Sequence, residues 1–360
     1  MKNLTDKVHD TDWDTLVILD SFRHDYFIDE YQHFPYVRNG DVEKVMSPGS
    51  ATPEVAPKLF PGTYDYNLYS ANKVVHTNAP IDGRPASQGY IDGWDAESTF
   101  NSVVEIESST HSETRFTPSP QDEIDFIKEN KDIINKEKSV LWLMQPHTPY
   151  FGDVQLNIRD DDIDNSKLRD DNGDIQEAVK YLFRKSYRGN VREALWIVTS
   201  LVGELDGNIV ITSDHGELLF DQSVQHRPGF QRVGSAPLRD RRSGLGHYVD
   251  SSHSKLRNVP WMEIDATSYD SIYEIDAERF VELSFNCVLN REVDESARTH
   301  YPKRIKRYER GEGTVLASPY SRKDLIMLLI RAKKSDKKIS PSSSYNSKIP
   351  EKQLKELGYL

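Results

Sequence analysis

The stretch Asn208-Ile209-Val210-Ile211-Thr212-Ser213-Asp214-His215-Gly216-Glu217 decides the fold. The run from Ile209 to Thr212 is too short for a helix and too uniformly apolar for a strand with one wet face. It reads as a strand buried on both faces of a parallel sheet. An Asp-His pair directly after such a strand stands at its carboxyl end, where open α/β sheets place their ligands. The pattern occurs earlier too: Leu16-Val17-Ile18-Leu19 runs straight into Asp20.

Working outward, the strand Thr15 to Leu19 leads through Ser21-Phe22-Arg23-His24-Asp25 into a short helix. Val140 to Met144 is a third buried strand, preceded by a helix over Gln121 to Lys136 and followed by the loop Gln145-Pro146-His147-Thr148-Pro149-Tyr150. The segment Met46 to Pro61 is rich in Ser, Pro and Gly, and Thr52 stands just before a helical turn from Pro53 to Phe60. Proline at the first helical position places the Thr52 hydroxyl at a helix N-terminus. Residues 66 to 118 read as loops with two short strands. From Ile175 to Leu205, apolar residues recur with helical spacing at Val179, Leu182, Phe183, Leu195, Val198, Leu201 and Val202, with a break expected near Gly189. Strand, loop and helix alternate throughout, which predicts a three-layer α/β/α fold with a mainly parallel sheet.

At 360 residues a sizeable core is available. A formal charge of -12 and a pI near 5.4 exclude a general nucleic-acid binder, whose phosphate contacts need clustered Lys and Arg. An anionic substrate must be held by a local site instead. Met1 to Trp13 is polar and lacks the apolar core of a signal peptide, and no stretch approaches the roughly 20 apolar residues that span a bilayer. A soluble, cytoplasmic protein is expected. Cys287 is the only cysteine, which rules out an intramolecular disulfide and a Cys-based metal site. Its apolar neighbours, Leu283 to Leu289, mark a buried structural thiol. The Asp-rich segment around Asp160-Asp161-Asp162 and Asp170-Asp171-Asn172-Gly173-Asp174 only roughly matches a calcium loop and reads as solvated surface.

Two carboxylates, an imidazole and a hydroxyl, from Asp20, Asp214, His215 and Thr52, form a mixed oxygen and nitrogen shell. Such a shell suits one divalent cation, Mn²⁺, Zn²⁺ or Mg²⁺ rather than Ca²⁺. A cation so held serves in-line displacement at a phosphate or sulfate ester, with Thr52 as both ligand and nucleophile. Singly, each piece has a plainer explanation: Thr52 an N-cap, Asp-His-Gly-Glu a turn, Pro-His-Thr-Pro-Tyr a proline-rich loop. Their order, each at a strand end or helix start, favours a site.

Residues about 14 to 262 resemble the alkaline-phosphatase/sulfatase superfamily, especially its sulfatase-like and phosphoglycerol-transferase-like branch. The matching pieces are Val17-Ile18-Leu19-Asp20-Ser21, Thr52-Pro53 with Leu59-Phe60-Pro61-Gly62, and Pro146-His147-Thr148-Pro149-Tyr150. Thr212-Ser213-Asp214-His215-Gly216-Glu217 and Gly246-His247 followed by Val259-Pro260-Trp261 complete them. The resemblance implies a strand-end metal ligand at Asp20, a metal pair at Asp214 and His215, and a nucleophile at Thr52, ten residues before Gly62. It implies contacts to the transferred group from His147 and His247, with His253 a weaker candidate for the latter role. Glu217 is expected to orient His215 or cap the following turn. There are departures. Sulfatases that make formylglycine carry a Cys/Ser-x-Pro-x-Arg signature, whereas Thr52 is followed directly by Pro53, no Arg occurs until Arg84, and Thr cannot become formylglycine. Ser21 stands where the second strand-end carboxylate would be, and Asp214-His215 where sulfatases have Asp-Asn. Phosphoester chemistry is therefore favoured. Two-metal relatives add an Asp-x-x-x-His; only Asp20 to His24 has that spacing, and Asp20 already serves the first ion. One metal is expected, with His147 and His247 as hydrogen-bond donors.

Past residue 270 the character changes. Ala277 to Leu289 reads as a helix continuing through Asn290-Arg291-Glu292-Val293-Asp294, and another begins at Ser321-Arg322-Lys323-Asp324-Leu325-Ile326 with Ser321 as cap. Residues 274 to 335 weakly resemble a helical module appended to glycosyltransferases, through a Leu-x-Arg-x-x-Asp helix end and a later Ser-Arg-x-x-Leu. An extension covering the sheet edge accounts for them equally well. Lys334 to Lys348 reads as a flexible linker and Gln353 to Leu360 as a short helix. The expected organisation is a catalytic domain over 1-270, a helical module over 271-335, and a linker with a terminal helix over 336-360. The expected function is a metal-dependent hydrolase or transferase acting on a small-molecule or glycan phosphate or sulfate ester. The alternative is a sulfatase-like protein that binds an anionic glycan without catalysis.

Overall fold

The computed structural model describes residues 1–77, 93–109, 117–155, 177–221, 245–247, 249–312 and 320–336. The strands are β1 (Thr15–Leu19), β2 (Asp41–Met46), β3 (Tyr64–Ser70), β4 (Phe100–Glu105), β5 (Ser139–Leu143), β6 (Asn208–Ser213), β7 (Leu218–Leu219), β8 (Leu245–Gly246) and β9 (Asn258–Asp265). Seven of them form one sheet in the order β2-β9-β6-β1-β5-β3-β4, while β7 and β8 pair separately. Only β9 runs against the rest, antiparallel to both β2 and β6.

Helices α1 (Leu4–Asp10), α2 (His24–Glu30), α3 (Thr52–Leu59), α4 (Lys73–Thr77), α5 (Ala96–Thr99), α6 (Pro120–Ile134), α7 (Glu177–Leu201) and α8 (Ser254–Arg257) fill the connections. α9 (Ala277–Leu289), α10 (Glu295–Glu309) and α11 (Arg322–Asp336) follow the sheet. Alternate residues of β1 feed two cores. Val17 and Leu19 join the core packed by α2, α6, α7 and the last helices, whereas Leu16 and Ile18 join that of α1, α3 and α4. This is the expected three-layer α/β/α arrangement, with the apolar strands buried on both faces. Among the described residues, no helix is long and apolar enough to cross a membrane.

Strand register fixes the site. Leu19 lies opposite Ser213 on β6 and Leu143 on β5. Asp20, Asp214 and Met144, the next residue of each chain, therefore leave the sheet side by side.

Several local expectations change. α7 is one helix of 25 residues, unbroken at Gly189. Gly189 marks a close approach: a Cβ on Gly152 would lie 2.6 Å from the Gly189 Cα. α9 stops at Leu289 because Asn290 turns left-handed at φ 53, and Asp294 ends no helix but caps α10 by accepting from the Ala297 N–H. α10 itself escapes sequence reading because it is strongly polar and carries Pro302 in its interior. Ser321 does cap α11, exchanging hydrogen bonds with Asp324. Lys334 belongs to that helix and reaches the buried Glu30 at 2.8 Å, where a linker was expected to begin. The Asp-rich stretch Asp160 to Asp174, the rest of the linker and the terminal helix lie outside the described residues. Cys287 is buried as expected, and burial pushes its thiol up to about 11.

Gly203 ends α7 against the chain that enters α9. A Cβ there would lie 2.4 Å from the Ser271 Cα and 2.5 Å from the Asp270 carbonyl oxygen, both backbone atoms with little room to yield. Gly203→Ala should lower unfolding free energy by about 1–3 kcal/mol, the usual range for overpacking, in urea melts. Coincident melting curves for the two proteins would contradict the close approach.

Candidate active site

Asp20, one residue past β1, is buried. Its Oδ1 accepts from the Ser21 hydroxyl at 2.8 Å and its Oδ2 from the Asn72 amide at 2.6 Å. Ser21 turns left-handed at φ 64, and its N–H reaches Asp214 Oδ1 at 3.1 Å. Asp214 Oδ1 also accepts from the His215 N–H at 2.7 Å, and its carbonyl accepts from the Ser47 hydroxyl. The His215 Nδ1 meets the Gly216 carbonyl at 2.8 Å, so it carries a proton, and Nε2 is the ring nitrogen turned towards the acids. That Nε2 lies 3.2 Å from Thr52 Oγ1, 3.4 Å from Asp214 Oδ2 and 3.8 Å from Asp20 Oδ1.

Thr52 opens α3, but it is not the cap. Ala51 holds that position and offers no side-chain hydrogen bond. The Thr52 hydroxyl is instead turned into the site, donating to Asp214 Oδ2 at 2.8 Å. Asp20, Thr52, Asp214 and His215 thus converge as their order along the chain suggested. Amide, hydroxyl and imidazole partners leave much of the negative charge uncompensated. Burial raises Asp20 to about 6, and neighbouring Asp214 adds to the rise. Burial alone would lower His215, yet Asp214 and Asp20 draw it above the usual imidazole range.

A second cluster stands beside the first. Pairing of Leu218 with Gly246 brings Glu217 against His247, with Glu217 Oε2 3.0 Å from His247 Nδ1. Glu217 therefore supports His247 rather than His215, whose Nδ1 is already satisfied by its own chain. Burial pushes His247 down to about 4 despite the carboxylate. Burial would raise Glu217, but its histidine neighbours hold it down to about 2. The consistent state is a carboxylate accepting the Nδ1 proton of a neutral His247, which leaves Nε2 a lone pair. His147 stands on a turn whose two X–Pro bonds, at Pro146 and Pro149, are cis. Its N–H donates to the carbonyls of Asp20 at 3.1 Å and Met144 at 2.9 Å, and its Nδ1 meets the Thr148 carbonyl at 2.7 Å. The His147 ring lies 5.4 Å from that of His247, which lies 4.4 Å from that of His215. In each trio, Asp20-Asp214-His215 and His147-Glu217-His247, the candidate ligand atoms fall within 4.8 Å of one another. His253 is placed in neither; it caps α8, its Nδ1 accepting from the Lys255 N–H at 3.1 Å.

Three supports were not anticipated from sequence. Asn72 holds Asp20 as above. Asn190, a polar residue inside the apolar face of α7, donates to the carbonyls of Pro146, His147 and Pro149 at 2.9–3.2 Å and so fastens the turn. Glu54 accepts from the Ser50 N–H at 2.8 Å and the Asp250 N–H at 2.7 Å, tying the entry of α3 to the segment after His247.

No protein-family profile matches the chain, and no curated protein does. Among solved structures it is similar to the integral membrane lipooligosaccharide phosphoethanolamine transferase A from Neisseria meningitidis, at 13% identity and a TM-score of 0.42 over 69% of this chain. The chain spans 47% of that protein's length. It is similar to the C-terminal periplasmic domain of the phosphoethanolamine transferase EptC from Campylobacter jejuni, at 12% identity and a TM-score of 0.40 over 92% of both chains. A phosphonate monoester hydrolase of Agrobacterium radiobacter matches at 12% identity and a TM-score of 0.42, over 70% of this chain and 68% of that one. At such identities these likenesses say nothing about which reaction this chain performs.

Proposed function

We propose that the chain is a metal-dependent enzyme that transfers or hydrolyses a phosphate ester through Thr52. The observation that carries this reading is the Thr52 hydroxyl, buried and hydrogen-bonded to Asp214 at 2.8 Å, beside Nε2 of His215 and the carboxylate of Asp20. Two buried carboxylates, one imidazole and one hydroxyl fit Mn²⁺, Zn²⁺ or Mg²⁺ better than Ca²⁺, which takes six to eight oxygens. Asp20, Asp214, His215 and Thr52 would hold the ion. Bound there, a divalent cation neutralises the non-bridging oxygens of the ester and lowers the pKa of the hydroxyl.

Asp214 Oδ2 takes the Thr52 proton as Oγ1 attacks phosphorus. A Thr52–O–P bond forms as the ester P–O bond breaks, and the leaving oxygen takes a proton from solvent. Water or an acceptor hydroxyl then attacks phosphorus and gives up its proton to solvent, the Thr52–O–P bond breaks, and Thr52 recovers the proton held by Asp214. The start of α3 contributes its N-terminal amides to the anionic group.

His147 and His247 support a different role from the donors first expected. Each Nδ1 faces a fixed acceptor, the Thr148 carbonyl or the Glu217 carboxylate, so the tautomer with its proton there leaves Nε2 as an acceptor. That favours a second cation held with Glu217, or proton uptake from the incoming water or hydroxyl, over donation to the transferred group. Two ions per chain in wild type, with one lost in His247→Ala and the other in Asp214→Ala, would support the two-ion form. Undiminished metal content in Asp214→Ala would overturn the first site.

Metal uptake should be strongly pH-dependent. Below about pH 6 Asp20 keeps its proton, and His215 is held in its charged form by its acidic neighbours, so binding must displace protons. Calorimetric titration in buffers of different ionisation enthalpy should show proton release at pH 5 and an affinity that climbs towards pH 7. An affinity flat across that interval would contradict the assignment.

The nucleophile is tested directly. Thr52→Ala should be inactive, Thr52→Ser should retain part of the turnover, and phosphate esters should outperform sulfate esters, since a sulfated Thr lacks the breakdown route of a formylglycine hydrate. Mass spectrometry of a quenched reaction should find the added group on the peptide containing Thr52. Turnover surviving in Thr52→Ala would place the nucleophile elsewhere.

A further inference from the structure

Beneath the His147 turn lies an acid that the chemistry above does not use. α6 opens with Ser119 and Asp122 exchanging cap hydrogen bonds, and Glu123 follows, wholly buried at 0% exposure. Glu123 Oε1 accepts the Met144 N–H at 2.8 Å, just where β5 ends. The side-chain amide of Gln145 meets the two Glu123 oxygens at 3.0 and 2.6 Å. His147 is two residues further on. Asn190 fastens the turn from the α7 side; Glu123 fastens it from the α6 side.

Two arrangements satisfy the Glu123–Gln145 contact. An ionised carboxylate would need the amide nitrogen facing it; a protonated carboxyl would donate to the amide oxygen, for which 2.6 Å is an ordinary O–H···O length. The start of α6 favours the ion, and so does the Met144 N–H. Complete burial opposes it, and the charges acting on Glu123, from Asp122 on its own helix and Asp20 at the end of β1, are both negative. Burial wins and pushes Glu123 up to about 8.

We propose that Glu123 is a positioning residue for His147: its protonated carboxyl donates to the Gln145 amide oxygen, accepts from the Met144 N–H, and so sets the turn on which His147 stands. The inference rests on the reading of His147 as a site residue, so its test includes measurements that need no turnover. Glu123→Gln keeps the shape and both hydrogen bonds without an ionisable proton; Glu123→Leu removes both.

With the full chain labelled at histidine ring nitrogens, the His147 signals should stay in place in Glu123→Gln and shift in Glu123→Leu. The surface residue His300 should be unaffected in both. Infrared spectra at pH 7 should show a buried carboxylic-acid band in wild type that Glu123→Gln abolishes. On the best phosphate ester, Glu123→Leu should lose about tenfold or more in kcat, as expected when a site group is misplaced. Wild-type kcat should decline as pH passes about 8, and Glu123→Gln should lack that decline. His147 signals unmoved in Glu123→Leu would overturn the positioning role, and an acid band that persists in Glu123→Gln would overturn the proton. If Glu123→Leu does not fold, the infrared band and pH profile of Glu123→Gln still decide. If no ester is turned over by wild type, the proposed reaction fails while the ring signals and the band continue to test this inference.

Discussion

Asp20 and Asp214 bring like charges together in a buried sheet edge, and much of the surrounding structure answers that repulsion. Isolated, either carboxylate would be strongly disfavoured away from water. Here Ser21, Asn72, the Ser21 and His215 amides and the Thr52 hydroxyl each supply a hydrogen bond to one of them. Neutral donors soften the repulsion without cancelling it. On the proposed reading, these acids are what a cation would meet, and the hydroxyl drawn between them is the group that cation would activate.

The stiffness of that arrangement comes from backbone more than from side chains. Each acid sits one residue beyond a strand hydrogen-bonded on both sides, so neither can retreat without breaking a ladder. Preorganisation of this kind would spare the proposed reaction the reorganisation that water would need. The second cluster is built differently, from the short pairing of β7 with β8 and a proline-rich turn, and it relies on Glu217, Asn190 and Glu123 for its geometry.

That contrast explains what could be read from the sequence. Asp20, Asp214 and His215 were legible because a short apolar run followed by a polar residue is a local signal, and sheet register does the rest. Thr52 was legible through Pro53, although its side chain turned out to face the site rather than cap the helix. The partner of Glu217 was not legible, because the pairing of Leu218 with Gly246 spans a long intervening segment with no local mark. Gly189 misled for the same reason: a helical glycine packed closely against the distant Gly152 backbone looks like a helix breaker. Hydrogen-bond roles for His147 and His247 depend on which ring nitrogen faces a carbonyl or carboxylate, and sequence does not encode that.

The anchoring of the last helix has a consequence for how this chain can be divided. Arg322 donates to the Ile272 and Ile275 carbonyls at 2.8 Å each, Lys323 pairs with Glu193 on α7, and Lys334 reaches Glu30 at the end of α2. Glu30 is fully buried and also holds Arg188 and Arg192. Cutting before Arg322 would strip two carbonyls of their donor and the buried Glu193 of its Lys323 partner, leaving Glu30 to Arg188 and Arg192, and orphaned buried charge is among the most destabilising defects a fold can carry. α2 begins four residues after Asp20 in the chain. The C-terminal helices are thus less a passenger on the sheet than a buttress for the element that leads away from its reactive edge, and exchanging them between relatives would transplant part of that support with them.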